Sequence, residues 1–214
     1  DTEWERDGKA YGWGNNRGLV LMKSFDLIHW TRTNIRFDQM SKEFAQIGCA
    51  WEPETVYDPA TGRMMIYFTM RFGNEQNRLY YVYVNQDFNR IESIPQILFE
   101  YPSGASAIDG DITPIWNEER QKMEYHLFYV AHESGSGIKQ AVSDRIDGGY
   151  RFDPRWIDFE PVACEAPNVW KRIGEDKWVL MYDIFGINPH NFGFVETSDF
   201  VHFKNLGRFN EGVM

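Results

Sequence analysis

A seven-residue motif that occurs twice is the feature that most restricts how this chain can fold. Residues 24–30 read Ser-Phe-Asp-Leu-Ile-His-Trp, and residues 197–203 read Thr-Ser-Asp-Phe-Val-His-Phe. Shorter copies lie between them, and the series is anchored at Ser24, Asn85, Ser143 and Ser198. Because the anchors are 61, 58 and 55 residues apart, we expect one structural unit to repeat along the chain.

A second series of segments has nearly the same period. Residues 61–69, 121–130 and 175–182 each begin with a polar turn and continue into a run typical of a β-strand. Helix signals are scarce, and segments 38–48 and 90–99 predict one turn of helix at most. Each repeat therefore predicts about four short strands. Radially repeated four-stranded sheets form a β-propeller, whereas a β-sandwich predicts no such period.

About three and a half to four such blades fit into the 214 residues. We therefore expect residues 1–214 to form a single all-β domain, a β-propeller that is truncated at both ends. Segment 13–24 resembles a loop that leads into a later strand of the first blade, and the last blade ends soon after Phe203. A propeller hides its sheet edges by closing its ring, so an open one is expected to aggregate, associate or be unstable.

The composition narrows the classes of partner. Hydrophobic residues make up 43% of the chain, which indicates a globular protein, and aromatic residues make up 16%. Aromatic side chains suit pleated sheets, and they also stack on the flat faces of sugars. The net charge of −10 and the lack of a basic stripe exclude a nucleic-acid binder. No apolar run is long enough for membrane insertion.

Three acids open successive repeats. Glu52, Asp109 and Glu165 lie just before strand-like runs and are 57 and 56 residues apart. Equivalent positions of neighbouring blades point toward the same axis, so these side chains are predicted to converge. Glycoside hydrolysis needs a protonated acid and an ionised base on the two sides of the scissile bond. The alternative is that the acids cap turns or pair with arginines.

Four motifs resemble those of glycoside hydrolase family 43, the five-bladed arabinofuranosidases and xylosidases. Residues 24–30 resemble the family's Ser-x-Asp-Leu-x-x-Trp blade motif, and Trp-Glu-Pro-Glu at 51–54 resembles its Trp-Ala-Pro-Glu. Ala-Ile-Asp at 107–109 resembles the segment that carries an aspartate modulating the pKa of the acid. Cys-Glu-Ala-Pro at 164–167 resembles the segment that carries the general acid.

The resemblance implies a role for each acid. Glu165 would be the general acid and Asp109 the pKa modulator, with Asp111 as the alternative because Gly110 leaves the register open. The family's catalytic base is an aspartate, usually followed by proline, at the start of the first blade. Only Asp1 and Asp7 precede Ser24, and neither is followed by proline. We therefore expect the general base upstream of residue 1, and we expect the 214 residues alone to be inactive.

Five further residues are candidate substrate contacts. Trp51 and Trp116 are predicted to floor a pocket by stacking, Glu52 belongs to the converging acids, and Arg71 follows a strand run where it can orient a carboxylate or bind a hydroxyl. His132 follows another strand run in a loop. The paired motif histidines, His29 and His202, are interpreted as structural. Cys49 and Cys164 are interpreted as buried hydrophobic residues, and whether they form a disulfide is left open.

The resemblance implies an inverting, exo-acting α-L-arabinofuranosidase or β-xylosidase that acts on plant polysaccharide side chains or oligosaccharides. It implies no cofactor, although it allows a structural calcium ion, and it implies a secreted or periplasmic location. Another glycosidase or a phosphorylase on the same scaffold is an alternative. Family 32 enzymes carry Glu-Cys, whereas this chain has Cys164-Glu165, which argues against that family. A non-catalytic sugar-binding propeller or an inactive fragment is the third alternative.

Overall fold

The computed structural model describes residues 4–6 and 9–209, with side chains described from residue 12 onward. The chain divides into two compact units, Asp1–Glu100 and Tyr101–Met214. Both consist of antiparallel strands, and the described residues contain only two helices, the single 3-10 turns Phe37–Gln39 and Phe44–Gln46. Within this part of the chain, no helix has the length and apolar character needed to cross a membrane.

The first unit contains two hairpins and one four-stranded sheet. The hairpins pair β1 (Trp4–Arg6) with β2 (Lys9–Tyr11) and β3 (Gly18–Lys23) with β4 (Thr31–Arg36). The sheet follows chain order through β5 (Ile47–Asp58), β6 (Arg63–Phe72), β7 (Arg78–Val84) and β8 (Gln96–Phe99). Strand β8 occupies part of segment 90–99, where a helical turn was the most that the sequence predicted.

The core of the first unit joins the β3–β4 hairpin to the four-stranded sheet. Leu19 and Leu21 of β3 pack with Phe37, Ile47 and Phe68 in one buried cluster. The rings of Phe37 and Phe68 stack with centroids 4.8 Å apart. The short 3-10 turn at Phe37 therefore supplies a core residue and not only a connection.

The second unit contains two four-stranded sheets, each again in chain order. The first consists of β9 (Ala107–Asn117), β10 (Lys122–Ala131), β11 (Gly137–Ser143) and β12 (Arg151–Asp153). The second consists of β13 (Glu165–Lys171), β14 (Trp178–Ile184), β15 (Asn191–Thr197) and β16 (Lys204–Arg208). The predicted repeat of about four strands is confirmed in all three four-stranded sheets.

The two full copies of the sequence motif form the same loop, between β3 and β4 in the first copy and between β15 and β16 in the second. In the first copy, Asp26 Oδ1 accepts hydrogen bonds from the backbone amides of Ile28 and His29, and Asp26 Oδ2 lies 2.7 Å from His29 Nδ1. In the second, Asp199 makes the same contacts, with His202 Nδ1 at 2.8 Å. The structural interpretation of both histidines is confirmed.

The apolar residue that follows the aspartate differs in its packing between the two loops. Phe200 is 3% exposed and contacts His126 of β10 with ring centroids 4.5 Å apart. Leu27 is its equivalent, with φ of 61° against 57° for Phe200, but Leu27 is 79% exposed. The loop conformation is therefore set locally by the Asp and His contacts and does not depend on core packing.

A bend recurs in the first strand of each four-stranded sheet. Glu52, Asp109 and Ala166 have φ of 48°, 53° and 51°, and each lies at or opposite a register shift of the ladder. These positions are 57 residues apart in both steps. The structural equivalent of Glu52 and Asp109 is thus Ala166, and Glu165 lies one position earlier, at the place of Trp51 and Ile108. The predicted equivalence of the three acids is wrong for Glu165, because spacing alone does not locate a bulge.

Candidate active site

Glu165 is the first residue of β13 and is half-buried. Asp183 of β14 is its partner in the ladder, which places the two side chains on neighbouring positions of one sheet. Desolvation raises the pKa of the Glu165 carboxyl, the negative charge of Asp183 raises it further, and His190 lowers it. These effects favour the protonated form more than in an exposed glutamate, which is the direction that a general acid requires.

Asp109 lies on β9, in the neighbouring sheet of the same unit, and is buried. Its Oδ2 accepts a hydrogen bond of 3.1 Å from the backbone amide of Ala166. Ala166 is the residue at the bend of β13 and directly follows Glu165. Asp109 therefore fixes the backbone next to Glu165. Its buried carboxylate contacts the residue that directly follows the candidate acid.

Asp111 binds the same strand farther along. Its Oδ2 accepts a hydrogen bond of 3.0 Å from the amide of Val169, and Thr113 Oγ1 donates to its Oδ1 over 3.3 Å. Val169 is four residues beyond Glu165, on the order of 10 Å along a strand with one bulge. Of the two aspartates, Asp109 is thus the one that the structure brings next to Glu165, and Asp111 anchors the outer part of β13.

His132 and Trp116 lie at opposite ends of the first sheet of this unit. Ala131 pairs with Ala107, so His132 follows β10 at the end where Asp109 lies, and its amide donates to Ser106 over 3.0 Å. Trp116 is seven residues beyond Asp109 on β9, about 23 Å along the strand. The structure therefore brings His132 toward the candidate acids but does not bring Trp116 there.

Trp51, Glu52 and Arg71 belong to the first unit. Cys49 of β5 pairs with Arg71 of β6, and the Arg71 guanidinium lies 5.3 Å from the centre of the Trp51 ring. Trp13 meets Trp51 edge to face with centroids 6.0 Å apart. Among the described residues, Trp51 Nε1 and Arg71 Nε are buried and have no hydrogen-bond acceptor. Glu52 is exposed at the bend beside them.

Asp183 and His190 were not among the residues that the sequence indicated. Asp183 acts on Glu165 through the pairing of β13 with β14, and the register of two strands cannot be read from either strand alone. His190 follows the cis peptide between Asn188 and Pro189 and begins the approach to β15. The sequence could have indicated Asp183, because it is an acid near the end of a strand-like apolar run.

Three further predictions concern the catalytic base, a metal ion and the cysteines. Asp1 and Asp7 lie outside the described residues. Among the side chains that the structure describes, residues 12–209, no group of three or more His, Cys, Asp or Glu is arranged to hold a metal ion. Cys49 and Cys164 are both buried and free, which resolves the open question of a disulfide.

Comparison with known proteins gives the family. The sequence matches the family described as "Probable glycosyl hydrolase domain", which is related to family 43, over residues 2–211. The structure is similar to that of a thermostable family-43 glycoside hydrolase, with a TM-score of 0.64 and 15% identity, covering 95% of this chain and 68% of that chain. Comparison with curated protein sequences finds no match.

Two further similar structures have different names. One is an endo-1,4-beta-xylanase from Bacteroides thetaiotaomicron, with a TM-score of 0.58 and 15% identity over 95% of this chain and 67% of that chain. The other is an arabinanase from Bacillus subtilis, with a TM-score of 0.62 and 17% identity over 89% of this chain and 67% of that chain. At such identities the likeness concerns the fold, and it confirms the predicted all-β propeller class. Since the family match extends over nearly the whole sequence, this chain belongs to the glycosyl hydrolase domains related to glycoside hydrolase family 43.

Proposed function

We propose that the protein is an inverting, exo-acting glycosidase of the α-L-arabinofuranosidase or β-xylosidase type, with Glu165 as its general acid. One observation carries the proposal. The half-buried Glu165 has a raised pKa, and the backbone amide of the next residue, Ala166, donates a hydrogen bond to the buried carboxylate of Asp109. A raised pKa increases the protonated fraction of a carboxyl, and a protonated carboxyl can deliver its proton to the leaving glycosidic oxygen.

Asp109 acts as a positioning residue in this proposal. Its hydrogen bond to Ala166 fixes the bend from which Glu165 projects, so that the acid meets the leaving oxygen in a defined direction. Accurate placement matters because a misplacement of about 1 Å can cost on the order of 10²-fold in rate. Asp183 acts on the pKa of Glu165 through its charge.

The sugar and the location are further parts of the proposal. Two similar structures are named xylanase and arabinanase, which supports a pentose-containing substrate. Aromatic side chains and a net charge of −10 are compatible with a neutral sugar chain. An enzyme acting on plant polysaccharide side chains meets its substrate outside the cytoplasm, so we propose a secreted or periplasmic location. Reporter fusions to the complete coding sequence test this part directly.

Glu165→Gln tests the central assignment. In the full-length enzyme we expect turnover of unactivated oligosaccharides to fall by about 10²–10⁴-fold. The loss on nitrophenyl pentosides should be smaller, because their leaving group needs little protonation. Glu119→Gln is the control, because Glu119 is exposed in the turn between β9 and β10. A loss below about tenfold on both substrates contradicts the assignment. Sugar binding without any turnover by the unaltered enzyme supports the non-catalytic alternative.

The stereochemical outcome is a separate test. An acid and a base that come from different strands of a propeller leave room for a water molecule, and inverting pairs are roughly 6.5–9.5 Å apart. We therefore expect the first-formed product to have the opposite anomeric configuration from the substrate. Proton NMR during the first turnovers measures this, and retained configuration contradicts inversion while leaving the role of Glu165 intact.

A further inference from the structure

A cavity of about 350 Å³ lies in the second unit, beside the strand that begins with Glu165. Its walls are the turn between β10 and β11 and the connection from β12 to β13. The volume falls within the range of small-molecule sites. Its lining includes Ser136, Gly137, Trp156, Asp158, Glu160 and Ala163.

The indole of Trp156 packs against β11 and lines the cavity. A Cβ on Gly137 would lie 3.0 Å from the indole ring, and Lys139 Nζ is 4.3 Å from the ring centre. Gly137 and Lys139 are two residues apart on β11 and therefore lie on the same face of the sheet. Trp156 nevertheless remains 42% exposed. A supported indole with free surface in a concave site is suited to stack on a sugar ring.

The support beneath Trp156 is rigid. Lys139 is 2% exposed, and its ammonium group donates to Glu133 Oε2 and to the Tyr101 hydroxyl, each over 2.8 Å. A buried ammonium with two fixed acceptors has little freedom to move. The orientation of the indole is therefore set before any ligand arrives, which lowers the entropic cost of binding.

One carboxylate supplies hydrogen-bond acceptors to the cavity. Asp158 Oδ2 accepts from the amide of Ile138 over 2.7 Å, and Asp158 Oδ1 accepts from the amide of Glu160 over 3.2 Å. A carboxylate has about four acceptor sites, so Asp158 can still accept from a hydroxyl. The Glu160 side chain is 7% exposed and pairs with Arg208, so it supports the cavity wall. The charge of Asp158 favours neutral sugars over anionic ones.

The cavity is connected to the candidate acid through Cys164. The amide of Cys164 donates to Ser136 O over 3.0 Å, and Ser136 Oγ donates to Cys164 O over 3.2 Å. Ala163 lines the cavity, and Glu165 follows it by two residues. Since a general acid protonates the leaving oxygen, a sugar site that adjoins the start of its strand is placed to hold the leaving part of the substrate.

We propose that this cavity is a subsite for a neutral sugar unit of the leaving chain, with Trp156 as the stacking surface and Asp158 as a hydroxyl acceptor. The inference deepens the proposed function and rests on it for the identity of the leaving side. It implies that the substrate is an oligosaccharide chain and not a simple glycoside.

Direct binding tests the subsite without requiring turnover. Linear xylo- and arabino-oligosaccharides of one to five units are titrated by calorimetry into the Glu165→Gln protein, with Trp156→Ala and Trp156→Phe on that background. We expect Trp156→Ala to weaken binding of the longer oligosaccharides by about tenfold, the size of one aromatic contact, and Trp156→Phe to weaken it less. Trp170→Ala is the control, because Trp170 is 40% exposed on the outer part of β13.

Each outcome distinguishes the subsite from the proposed catalytic role. Equal binding by Trp156→Ala and the parent overturns the subsite, as does an equal loss in Trp170→Ala or a failure of both oligosaccharide series to bind. If Glu165→Gln keeps full activity but Trp156→Ala loses oligosaccharide affinity, the catalytic role fails and the sugar site stands. Circular dichroism and the thermal midpoint of each variant verify that the fold is retained.

Discussion

The carboxylate of Asp109 accepts a hydrogen bond from the amide of Ala166 over 3.1 Å, and so joins two neighbouring sheets at the residue that follows Glu165. This contact links a buried acid of one repeat to the backbone bend of the next. It makes the position of Glu165 depend on a side chain 56 residues away in the sequence.

Asp109→Ala is expected to remove this link. The Ala166 amide then loses its acceptor, at a net cost of about 1 kcal/mol in the free energy of unfolding. Asp109→Asn keeps an acceptor oxygen and is expected to cost less. Urea denaturation measures both. Asp111→Ala is the control because it breaks the equivalent bond to Val169, and it should lower stability without altering the NMR titration of Glu165. Equal changes in that titration for both alanine variants contradict the separate role of Asp109.

The pKa of Glu165 is expected to respond in opposite directions to two substitutions. Asp183→Asn removes a negative charge that raises this pKa, so the pKa should fall. His190→Ala removes a group that lowers it, so the pKa should rise. Carboxyl carbon NMR of the labelled protein measures each shift. In the active enzyme, the rate falls as pH rises through the pKa of the acid, so Asp183→Asn should move that limb to lower pH. Shifts of the same sign in both variants contradict the assignment.

Acid is expected to weaken the two Asp-His loops. Hydrogen bonds from His29 and from the loop amides lower the pKa of Asp26, while for Asp199 desolvation opposes a net lowering by His202 and the loop amides. A carboxyl whose folded pKa is lowered contributes stability above its unfolded pKa, near 3.8, and that stability is lost as pH falls through the folded value. Asp199→Asn should therefore be destabilising at pH 7 and nearly neutral well below pH 3.8.

A comparison of the two loops checks the cause of this effect. Asp26→Asn should have a smaller effect on global stability than Asp199→Asn, because Leu27 is exposed whereas Phe200 packs on the core. Denaturant midpoints of both variants at pH 7 and at low pH test the comparison. A penalty for Asp199→Asn that does not change with pH contradicts the ionic origin of the effect.

Self-association is expected through an apolar patch at the β3–β4 turn, formed by Phe25, Leu27, Ile28 and Trp30. Phe25 is 95% exposed, and its three neighbours in the patch are also exposed. Contiguous exposed apolar surface of this kind favours association. Sedimentation velocity over a range of concentrations should show oligomers that the double variant Phe25→Ser, Leu27→Ser reduces. Ile173→Ser, at an isolated and fully exposed position, should leave the distribution unchanged.

The features that could be predicted from the sequence are those with local causes. The Asp-His loop was visible because its hydrogen bonds join residues at most three apart, and the spacing of its series, 61, 58 and 55 residues, indicated the repeat. The bulge at Ala166 was missed because it shifts the register by one position without changing the spacing of the motifs. Asp183 was missed because its effect depends on cross-strand pairing, and Trp116 was misplaced because strand length separates it from Asp109.

The recurring bend has a consequence for how this family can change. Three equivalent positions hold Glu52, Asp109 and Ala166 at nearly the same φ, so the backbone shape does not depend on which side chain occupies it. An acid can thus be gained or lost at such a position without rebuilding the blade. The side chain at the bend can change without a change of fold. The repeat that has Ala166 at this position keeps the backbone geometry in which an acid could evolve.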